Sequence, residues 1–241
     1  MEKYEILCII PARSGSKGIK DKNIKLLNMK PLIYWSIKQA LDCNYKMRII
    51  VSTDSKEYSK IAKECGAEVP FLRPKNISGD LSTDFEFVEH CLNFLNSEEN
   101  YIPDFIVQLR PTYPTRRVEI LNHTIESFIK VRNNFDSLRT VIKMDKSPFK
   151  MYRIESLTNE LVPLFKKVDN IIEPYNECRQ NLPETFIHNG YIDIFNSNII
   201  EKKKSITGSI YSYLMDKNNY HDIDSEEDFK IVEENFNELT N

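Results

Sequence analysis

A loop near the start of the chain combines two glycines with four positively charged side chains, a set of groups suited to binding phosphate. Gly15 and Gly18 tolerate positive φ, so successive backbone N–H groups can point into one concavity. The cations around them are Arg13, Lys17, Lys20 and Lys22. Arginine can hold two anionic oxygens at once, whereas lysine acts as a point charge. We therefore predict that this loop, residues 12–23 and hereafter the phosphate loop, binds a polyanion.

Two common glycine motifs for nucleotide phosphates do not match this loop. The P-loop of NTPases needs a glycine, four further residues and then Gly-Lys-Ser/Thr, a spacing that the Gly-Ser-Lys-Gly string at 15–18 lacks. The Gly-x-Gly-x-x-Gly fingerprint of dinucleotide-binding domains is also absent, and Arg13 stands where a close backbone approach to pyrophosphate would be needed. From the residues alone, an ordinary basic turn after a first strand remains the alternative.

The phosphate loop follows a short apolar run, residues 6–10, that predicts a buried strand. Apolar residues at helical spacing over 31–44 and a second apolar strand over 47–52 complete a βαβ unit. Such a unit pairs its strands in parallel and places ligand loops at their carboxyl ends. The phosphate loop is therefore predicted to lie where an α/β sheet binds its ligand.

The alternation of helices and strands continues and predicts an open, mainly parallel α/β sheet with helices on both faces. Further helices are predicted over 55–65, 84–95 and 117–131, and further strands over 67–69, 105–109, 137–142 and 190–195. A last helix is predicted to begin at Ser225, because Asp228 three residues on can complete a reciprocal cap with it.

The segment 143–186 interrupts this pattern. It contains four prolines and short apolar pieces without sustained periodicity. Because a structureless loop of that length is improbable in a compact domain, we predict an excursion from the sheet with structure of its own. We predict that residues 1–241 form a single domain around this insert, since a chain of 241 residues is long enough for one sizeable core.

The composition argues against several classes of function. A net charge of −3 is unlike the basic excess of a nucleic-acid-binding surface, so the phosphate loop must serve a small anion. No apolar run approaches the about 18 residues needed to cross a membrane, and the N-terminus lacks the pattern of a secretory signal, which predicts a cytoplasmic location. The five cysteines are scattered without a Cys-x-x-Cys pair, so neither a disulfide framework nor a zinc site is predicted.

Several strings of residues carry a resemblance to a known family. The string Pro-Ala-Arg-Ser-Gly-Ser-Lys-Gly at 11–18, with Lys22-Asn23 after it, resembles the signature of the acylneuraminate cytidylyltransferase family, which makes CMP-sialic acids and related CMP-nonulosonates. The string Gln-Leu-Arg-Pro-Thr-Tyr-Pro-Thr-Arg at 108–116 resembles the family's Gln-x-Pro-Thr-Ser-Pro-Leu-Arg segment. Later blocks match in the family's order at Arg179-Gln180-x-Leu182-Pro183, Asn189-Gly190 and Asp222-Ile223-Asp224.

The resemblance covers essentially the whole chain and implies a magnesium-dependent transfer of CMP from CTP to the anomeric hydroxyl of a nonulosonic acid, a nine-carbon acidic sugar, with release of pyrophosphate. It also implies a Rossmann-like nucleotidyltransferase sheet, and a homodimer formed through the 143–186 insert. The implied nucleotide-binding residues are Ala12, Arg13, Ser16, Lys17, Lys22, Asn23, Arg73 and Ser82. The implied sugar-binding residues are Gln108, Arg116 and Arg179, and the implied catalytic residues are Arg13, Lys17 and Asp224.

Asp222 and Asp224 are the predicted magnesium ligands. Alternate residues of an extended segment point to one side, so both carboxylates can face one cation, and Mg²⁺ prefers oxygen ligands. Two aspartates before a serine cap are also a routine turn, and the resemblance favours the metal over that alternative. Asp54, after the second predicted strand, is a third acidic candidate that can equally cap the helix after it.

Several alternatives stay open from the sequence. Tyr113 and Thr115 depart from the family's Ser and Leu, which leaves the acceptor sugar undetermined. A second enzymatic interpretation is transfer to 3-deoxy-manno-octulosonate, or use of another nucleotide with a sugar phosphate. An interpretation from a different class is a nucleotide-binding regulatory module without catalytic activity. For single residues, Lys20 can be a solvated loop lysine, Arg73 a surface charge and Arg179 part of a structural ion pair.

Overall fold

The computed structural model describes residues 4–217 and 221–240. Within them the strands are β1 (Ile6–Pro11), β2 (Leu26–Leu27), β3 (Lys30–Pro31), β4 (Met47–Ser52), β5 (Phe105–Gln108), β6 (Ser137–Lys143), β7 (Tyr152–Glu155), β8 (Glu160–Pro163), β9 (Lys167–Val168), β10 (Ile171–Ile172), β11 (Phe186–Asn196) and β12 (Ile210–Leu214). The α-helices are α1 (Leu32–Asp42), α2 (Lys56–Glu64), α3 (Asp84–Glu99), α4 (Val118–Val131), α5 (Asn198–Lys203), α6 (Glu226–Glu234) and α7 (Phe236–Thr240). No helix of these described residues is long and apolar enough to cross a membrane.

A six-stranded sheet in the order β12-β6-β11-β5-β1-β4 forms the centre of the fold. β1 pairs in parallel with both β4 and β5, and β11 pairs antiparallel with β5. The predicted βαβ unit is thus present, because β1 and β4 are joined through α1 and lie side by side. The predicted α/β architecture with a mainly parallel central sheet is confirmed.

Side chains of β1 alternate between the two faces of the sheet, as they must in a strand. Leu7 and Ile9 belong to an apolar cluster with Val88 and Leu95 of α3, and all four are fully buried. On the opposite face, where the alternation directs Cys8, α1 contacts β1 and β4. Helices therefore cover both faces, which explains why β1 is apolar at every position from 6 to 10.

A second apolar cluster joins the C-terminal part of the chain to the residues just after β1. Ile223 and Phe229 pack against Ile19, Leu27 and Leu32, and all five are buried. Helix α6 begins at the predicted cap, since the Ser225 and Asp228 side chains each bond the other residue's backbone N–H. This packing brings the 222–224 segment beside the phosphate loop although some 200 residues separate them in sequence.

Several elements differ from the sequence prediction, including β2 and β3, which were not predicted. The predicted strand at 67–69 is reduced to a single bridge between Glu68 and Ile50. Strand β11 begins at Phe186, four residues before the predicted start, and α5 was not predicted because its six residues carry too few apolar positions to show a period. Pairing partners elsewhere in the chain decide these boundaries, which a local pattern does not reveal.

Residues Val141–Asn189 form a compact unit separate from the unit that comprises residues 1–140 and 190–241. This second unit contains the whole 143–186 segment. An antiparallel hairpin pairs β7 with β8, and a smaller one pairs β9 with β10. The segment therefore has secondary structure of its own, and its role in dimerisation stays a prediction.

Candidate active site

A cleft of about 370 Å³ lies beyond the carboxyl ends of β1 and β5, where open α/β sheets bind their ligands. Its walls include the following residues that the sequence predicted: Arg13, Ser16, Lys17, Lys22, Asn23, Arg73, Ser82 and Asp224. Residues that the sequence reasoning did not single out also line it, among them Asp84, Phe87 and Arg110. The structure thus brings the predicted nucleotide-binding residues other than Ala12 to one place.

The phosphate loop is held at its start by Asp54, which follows β4. One carboxylate oxygen of Asp54 accepts from the Ser14 backbone N–H at 2.7 Å, and the other accepts from the Ser14 hydroxyl at 2.7 Å. Burial raises the pKa of Asp54, but these hydrogen bonds outweigh that effect and hold the pKa below its ordinary value. Asp54 thus orients the loop, and its role as a third metal ligand stays a prediction; the cap of α2 is Ser55 instead.

The two glycines of the loop have different roles. Gly15 adopts a φ of 73°, a positive value that glycine tolerates. Gly18 is not among the glycines with positive φ. A Cβ at Gly18 would instead collide with the backbone carbonyl oxygen of Asp224. Gly18 is therefore needed because the phosphate loop and the 222–224 segment approach closely.

Arg13 and Lys17 share one carboxylate in this structure. Arg13 Nη2 lies 2.8 Å from Asp80 Oδ1, and Lys17 Nζ lies 2.6 Å from Asp80 Oδ2. Hydrogen bonds from Lys17 and Arg13 lower the pKa of Asp80. The two cations thus hold a pair of anionic oxygens, as a phosphate group would present to them.

Lys22 and Asn23 connect the loop to its surroundings. The largely buried Lys22 Nζ donates to the Ile223 carbonyl oxygen at 2.9 Å and to Asp224 Oδ1 at 3.2 Å. Asn23 is buried and donates to the Arg13 carbonyl oxygen at 3.0 Å. Lys20, in contrast, is exposed and does not line the cleft, so the solvated-lysine alternative fits it.

Arg73 is a buried arginine in the cleft wall and not a surface charge. Its Nε and Nη2 donate to the Ser52 hydroxyl and carbonyl oxygens at 3.0 and 2.6 Å, and its guanidinium lies 4.7 Å from the centre of the Phe87 ring. Burial lowers the pKa of Arg73 to about 10.

Ser82 lies nearby in sequence, and its hydroxyl oxygen accepts a hydrogen bond from the Gly79 backbone N–H. Ala12 is buried and does not line the cleft; its N–H donates to the Ser52 carbonyl oxygen.

Asp222 and Asp224 lie in different environments. Burial raises the pKa of Asp222, whose carboxylate is hydrogen-bonded by Thr112 and Tyr113, while its Oδ1 is buried without a partner among the described residues. Asp224 is exposed and forms an ion pair with Lys22. An orphaned carboxylate oxygen next to an accessible carboxylate is a donor set that suits Mg²⁺. No cluster of three or more His, Cys, Asp or Glu side chains suited to a metal occurs in the described ranges, so further ligands would come from substrate and water.

Arg110 is a cleft residue that the sequence reasoning passed over, although it lies inside the 108–116 string. Its Nη1 donates to Asp193 Oδ2 at 2.6 Å and to the Gly190 carbonyl oxygen at 3.0 Å, and its Nη2 donates to Asp84 Oδ2 at 2.6 Å. Gln108, predicted to bind sugar, is fully buried behind this group and donates to Asp84 Oδ2 at 2.8 Å. A charged residue directly after a buried strand was the available signal for Arg110.

The structure places Arg116 in the core and not at the cleft. Its guanidinium donates to the Ser36 hydroxyl, to Gln39 Oε1, and to the carbonyl oxygens of Tyr191 and Arg110. With four hydrogen bonds to the protein and only 3% of its surface exposed, Arg116 is not available to a sugar. We therefore correct its predicted role: it holds the backbone that carries Arg110.

Arg179 belongs to the second unit. It is exposed and lines a separate pocket of about 360 Å³ within that unit, together with Lys143, Ser147 and Gln180. The cleft described above is formed by the first unit alone. The sugar-binding role predicted for Arg179 stays a prediction.

Comparison with known proteins identifies the relatives of this chain. "Post-translational flagellin modification protein B" of Campylobacter coli is 34% identical over 95% of this chain and 94% of that protein. "CMP-N,N'-diacetyllegionaminic acid synthase" of Campylobacter jejuni is 33% identical over 95% and 94%. "N-acylneuraminate cytidylyltransferase" of Escherichia coli is 32% identical over 95% of this chain but 52% of that protein, so the chain spans about half of that relative.

Solved structures agree on the fold. A CMP-2-keto-3-deoxy-manno-octonic acid synthetase complexed with CTP superposes with a TM-score of 0.67 at 11% identity, covering 97% of this chain and 99% of that one. A cytidylyltransferase from Leptospira borgpetersenii superposes with a TM-score of 0.63 at 15% identity, covering 98% and 87%. The cytidylyltransferase family itself matches residues 7–161. The resemblance noted in the sequence is confirmed, and the chain belongs to the cytidylyltransferase family of nucleotidyltransferases.

Proposed function

We propose that this protein transfers CMP from CTP to the anomeric hydroxyl of a nonulosonic acid and releases pyrophosphate. The observation that carries the proposal is the gathering of Arg13, Lys17, Lys22 and Asp224 around one cleft at the carboxyl ends of parallel strands. Relatives whose names include an N-acylneuraminate cytidylyltransferase and a CMP-N,N'-diacetyllegionaminic acid synthase support the substrate class.

In this reaction the chain's own cations neutralise charge on the triphosphate. Arg13 can hold two phosphate oxygens, and Lys17, the more exposed of the pair, adds a point charge as the leaving pyrophosphate gains charge. Asp54 keeps the loop in place through Ser14, so that these donors need little rearrangement when the substrate binds. Preorganised charges of this kind favour the transition state over the ground state.

Binding of the cytidine part is proposed for the wall formed by Arg73, Ser82 and Phe87. Arg73 is fixed by its two bonds to Ser52 and by the face of Phe87. Because this arginine is already ordered next to an aromatic ring, it can contact a planar base with little further loss of conformational entropy. Ser82 contributes a hydroxyl group at the same wall.

The residues present fit a magnesium ion. Asp222 and Asp224 would hold it, with the orphaned Asp222 Oδ1 as one ligand atom. Bound there, Mg²⁺ would neutralise phosphate oxygens and polarise the reacting phosphoryl group. Because Asp224 is exposed and already paired with Lys22, the protein alone offers a weak site that substrate phosphates would complete.

Dimerisation and location are further parts of the proposal. The second unit exposes several large apolar side chains: Ile154, Leu157, Leu161, Leu164 and Ile172. Exposed apolar side chains are typical of interaction sites, and we propose that these join two copies of the chain. We also propose a cytoplasmic location.

The experiment that tests the proposal is a substrate panel. The purified protein would be incubated with Mg²⁺, each of the four nucleoside triphosphates, and a set of acceptors that includes neuraminate, legionaminate and pseudaminate derivatives and 3-deoxy-manno-octulosonate. We expect pyrophosphate release that requires both CTP and a nonulosonic acid, with a CMP-sugar found by mass spectrometry. Release only with 3-deoxy-manno-octulosonate, only with another nucleotide, or with no acceptor at all would contradict the proposal.

A further inference from the structure

Asp84 lines the cleft, and its two carboxylate oxygens differ in their hydrogen bonding to the described residues. It occupies the first turn of α3 and lines the same cleft as Arg73 and Lys17. Its Oδ2 accepts from Arg110 Nη2 at 2.6 Å and from Gln108 Nε2 at 2.8 Å. Within residues 4–217 and 221–240 no hydrogen bond reaches its Oδ1.

The partners of Asp84 are themselves fixed, so the carboxylate has one orientation. Arg110 is held on its far side by Asp193 and by the Gly190 carbonyl oxygen. Gly190 has a φ of 69°, and a Cβ there would lie 3.2 Å from Arg110 Nη1, so a larger residue would disturb this arrangement. Asp84 Oδ1 is therefore preorganised to receive a donor.

Gln108, which holds Asp84 Oδ2 from behind the cleft wall, has an acceptor of its own that is unsatisfied within the described part of the chain. The residue is fully buried, and its Oε1 has no hydrogen-bond partner among the described residues. Buried polar atoms without partners are rare in folded proteins and call for a specific explanation. Here the unsatisfied acceptor belongs to the side chain that already bonds Asp84.

The charge of the site selects the kind of donor. Arg110 and Arg139 together balance the charges of Asp84 and Asp193, so the group holds no excess negative charge that would require a metal ion. A phosphate group, which only accepts hydrogen bonds when ionised, would be repelled by the free oxygen of Asp84. A neutral hydroxyl group donates one hydrogen bond and brings no charge.

We infer that Asp84 is a specificity-determining residue whose Oδ1 accepts a hydrogen bond from a hydroxyl group of a sugar bound in the cleft. The inference rests on the proposed function, which supplies two such sugars, the ribose of CTP and the acceptor. Asp84 lines the cleft together with Arg73, Phe87 and Arg110. It therefore lies in the part of the wall that the ribose or the acceptor sugar would contact. The chemistry is the same for both, and the experiment distinguishes them.

The test compares Asp84→Asn with a matched control. Asparagine keeps an oxygen for Arg110 and Gln108 and replaces Oδ1 with an NH₂ donor. Glu86→Gln removes the same charge from the same turn of α3, but Glu86 accepts from Thr83 and does not line the cleft. Asp84→Ser, which leaves a short helix-capping side chain in that turn, serves as a second variant if the asparagine variant folds poorly.

Calorimetry would measure the binding of CTP, 2′-deoxy-CTP and 3′-deoxy-CTP, and steady-state kinetics would measure KM and kcat for acceptors of the panel above. If ribose is the ligand, the wild-type preference for CTP over one deoxy analogue should fall at least about tenfold in Asp84→Asn. If the acceptor is the ligand, its KM should rise by a similar factor while nucleotide binding stays unchanged. Glu86→Gln should resemble the wild type in both measurements.

Two results would overturn the inference. The first is an Asp84→Asn variant that matches the wild type in nucleotide preference and in acceptor KM. The second is an equal loss for all three nucleotides and the acceptor, with a lowered melting temperature in both Asp84 variants, which would indicate a structural role only. Failure of the proposed function is a separate result, because it would appear as a wild-type protein without acceptor-dependent pyrophosphate release.

Discussion

The Cα of Gly18 packs directly against the backbone carbonyl oxygen of Asp224, so closely that a Cβ at position 18 would lie within 3.0 Å of that oxygen. This contact joins the phosphate loop to the segment that carries both predicted magnesium ligands. Lys22 reinforces it through its bonds to the Ile223 carbonyl oxygen and to Asp224. The distance between the cations of the phosphate loop and the carboxylates of the 222–224 segment thus depends on the absence of a Cβ at Gly18.

Gly18→Ala is expected to displace the 222–224 segment and to lower kcat about 100-fold, since a displacement near 1 Å at a reacting centre has effects of that size. Gly79→Ala is the matched control, because a Cβ there meets only the Ser82 hydroxyl, at 3.9 Å. Pyrophosphate release and circular dichroism would be measured for both variants. Equal kcat for Gly18→Ala and the wild type would show that this contact does not set the geometry of the cleft.

Lys17→Ala is expected to lower turnover by about 100-fold or more, because it removes a preorganised charge needed as pyrophosphate departs. Lys20→Ala is its control, since Lys20 is an exposed lysine of the same loop that does not line the cleft. Single-turnover rates at saturating CTP would separate this effect from binding. A Lys17→Ala variant with near-normal turnover and an intact fold would remove Lys17 from the catalytic assignment.

Asp80→Asn is expected to lower the KM for CTP and to strengthen inhibition by pyrophosphate, each several-fold. In the structure the Asp80 carboxylate engages Arg13 and Lys17, the two cations that a triphosphate also requires. Removing its charge removes a competitor for them. Initial rates over a range of CTP and pyrophosphate concentrations would test this. A raised KM would mean instead that Asp80 positions the two cations for the nucleotide.

Asp222→Asn and Asp224→Asn are expected to raise the magnesium concentration needed for half-maximal activity several-fold and to lower the maximal rate. Each change keeps an oxygen ligand but removes a negative charge from the proposed site. Magnesium would be titrated at saturating CTP and acceptor, with Glu226→Gln as a control that removes an exposed charge nearby. An unchanged half-saturating concentration in both aspartate variants would place the metal elsewhere.

The protein is expected to behave in light scattering as a particle of twice its chain mass of 28.4 kDa. Ile154 and Leu161, paired across the β7–β8 hairpin, are 67% and 58% exposed, so glutamate at both positions should produce monomers. A stable interface buries at least about 1,000 Å², which charges at its centre would oppose. Ile102→Glu, a 68% exposed position in the first unit, is the control. A fully active wild-type monomer at micromolar concentration would rule out this proposal.

Local sequence determined much of the central sheet and the identity of the phosphate loop. β4 has the predicted bounds, and the ends of α1, α2 and α4 lie within two residues of the predicted ends. These elements were found because the spacing of apolar residues that causes burial is a local property of each element's own sequence. Arg13, Lys17 and Lys22 were found because these cations stand within a few positions of two glycines, whereas Asn23 was implied by the family resemblance. Patterns of this kind need no knowledge of distant partners.

Tertiary structure alone decided which polar residues meet. Arg110 follows β5, Asp84 lies in α3 and Asp193 in β11, and their pairing spans 26 and 83 positions along the chain. Arg116 and Arg110 stand six residues apart in one string, yet one is buried in the core and the other faces the cleft. The direction of a side chain after a strand depends on which neighbours accept its hydrogen bonds, and those neighbours are brought near only when the sheet has formed.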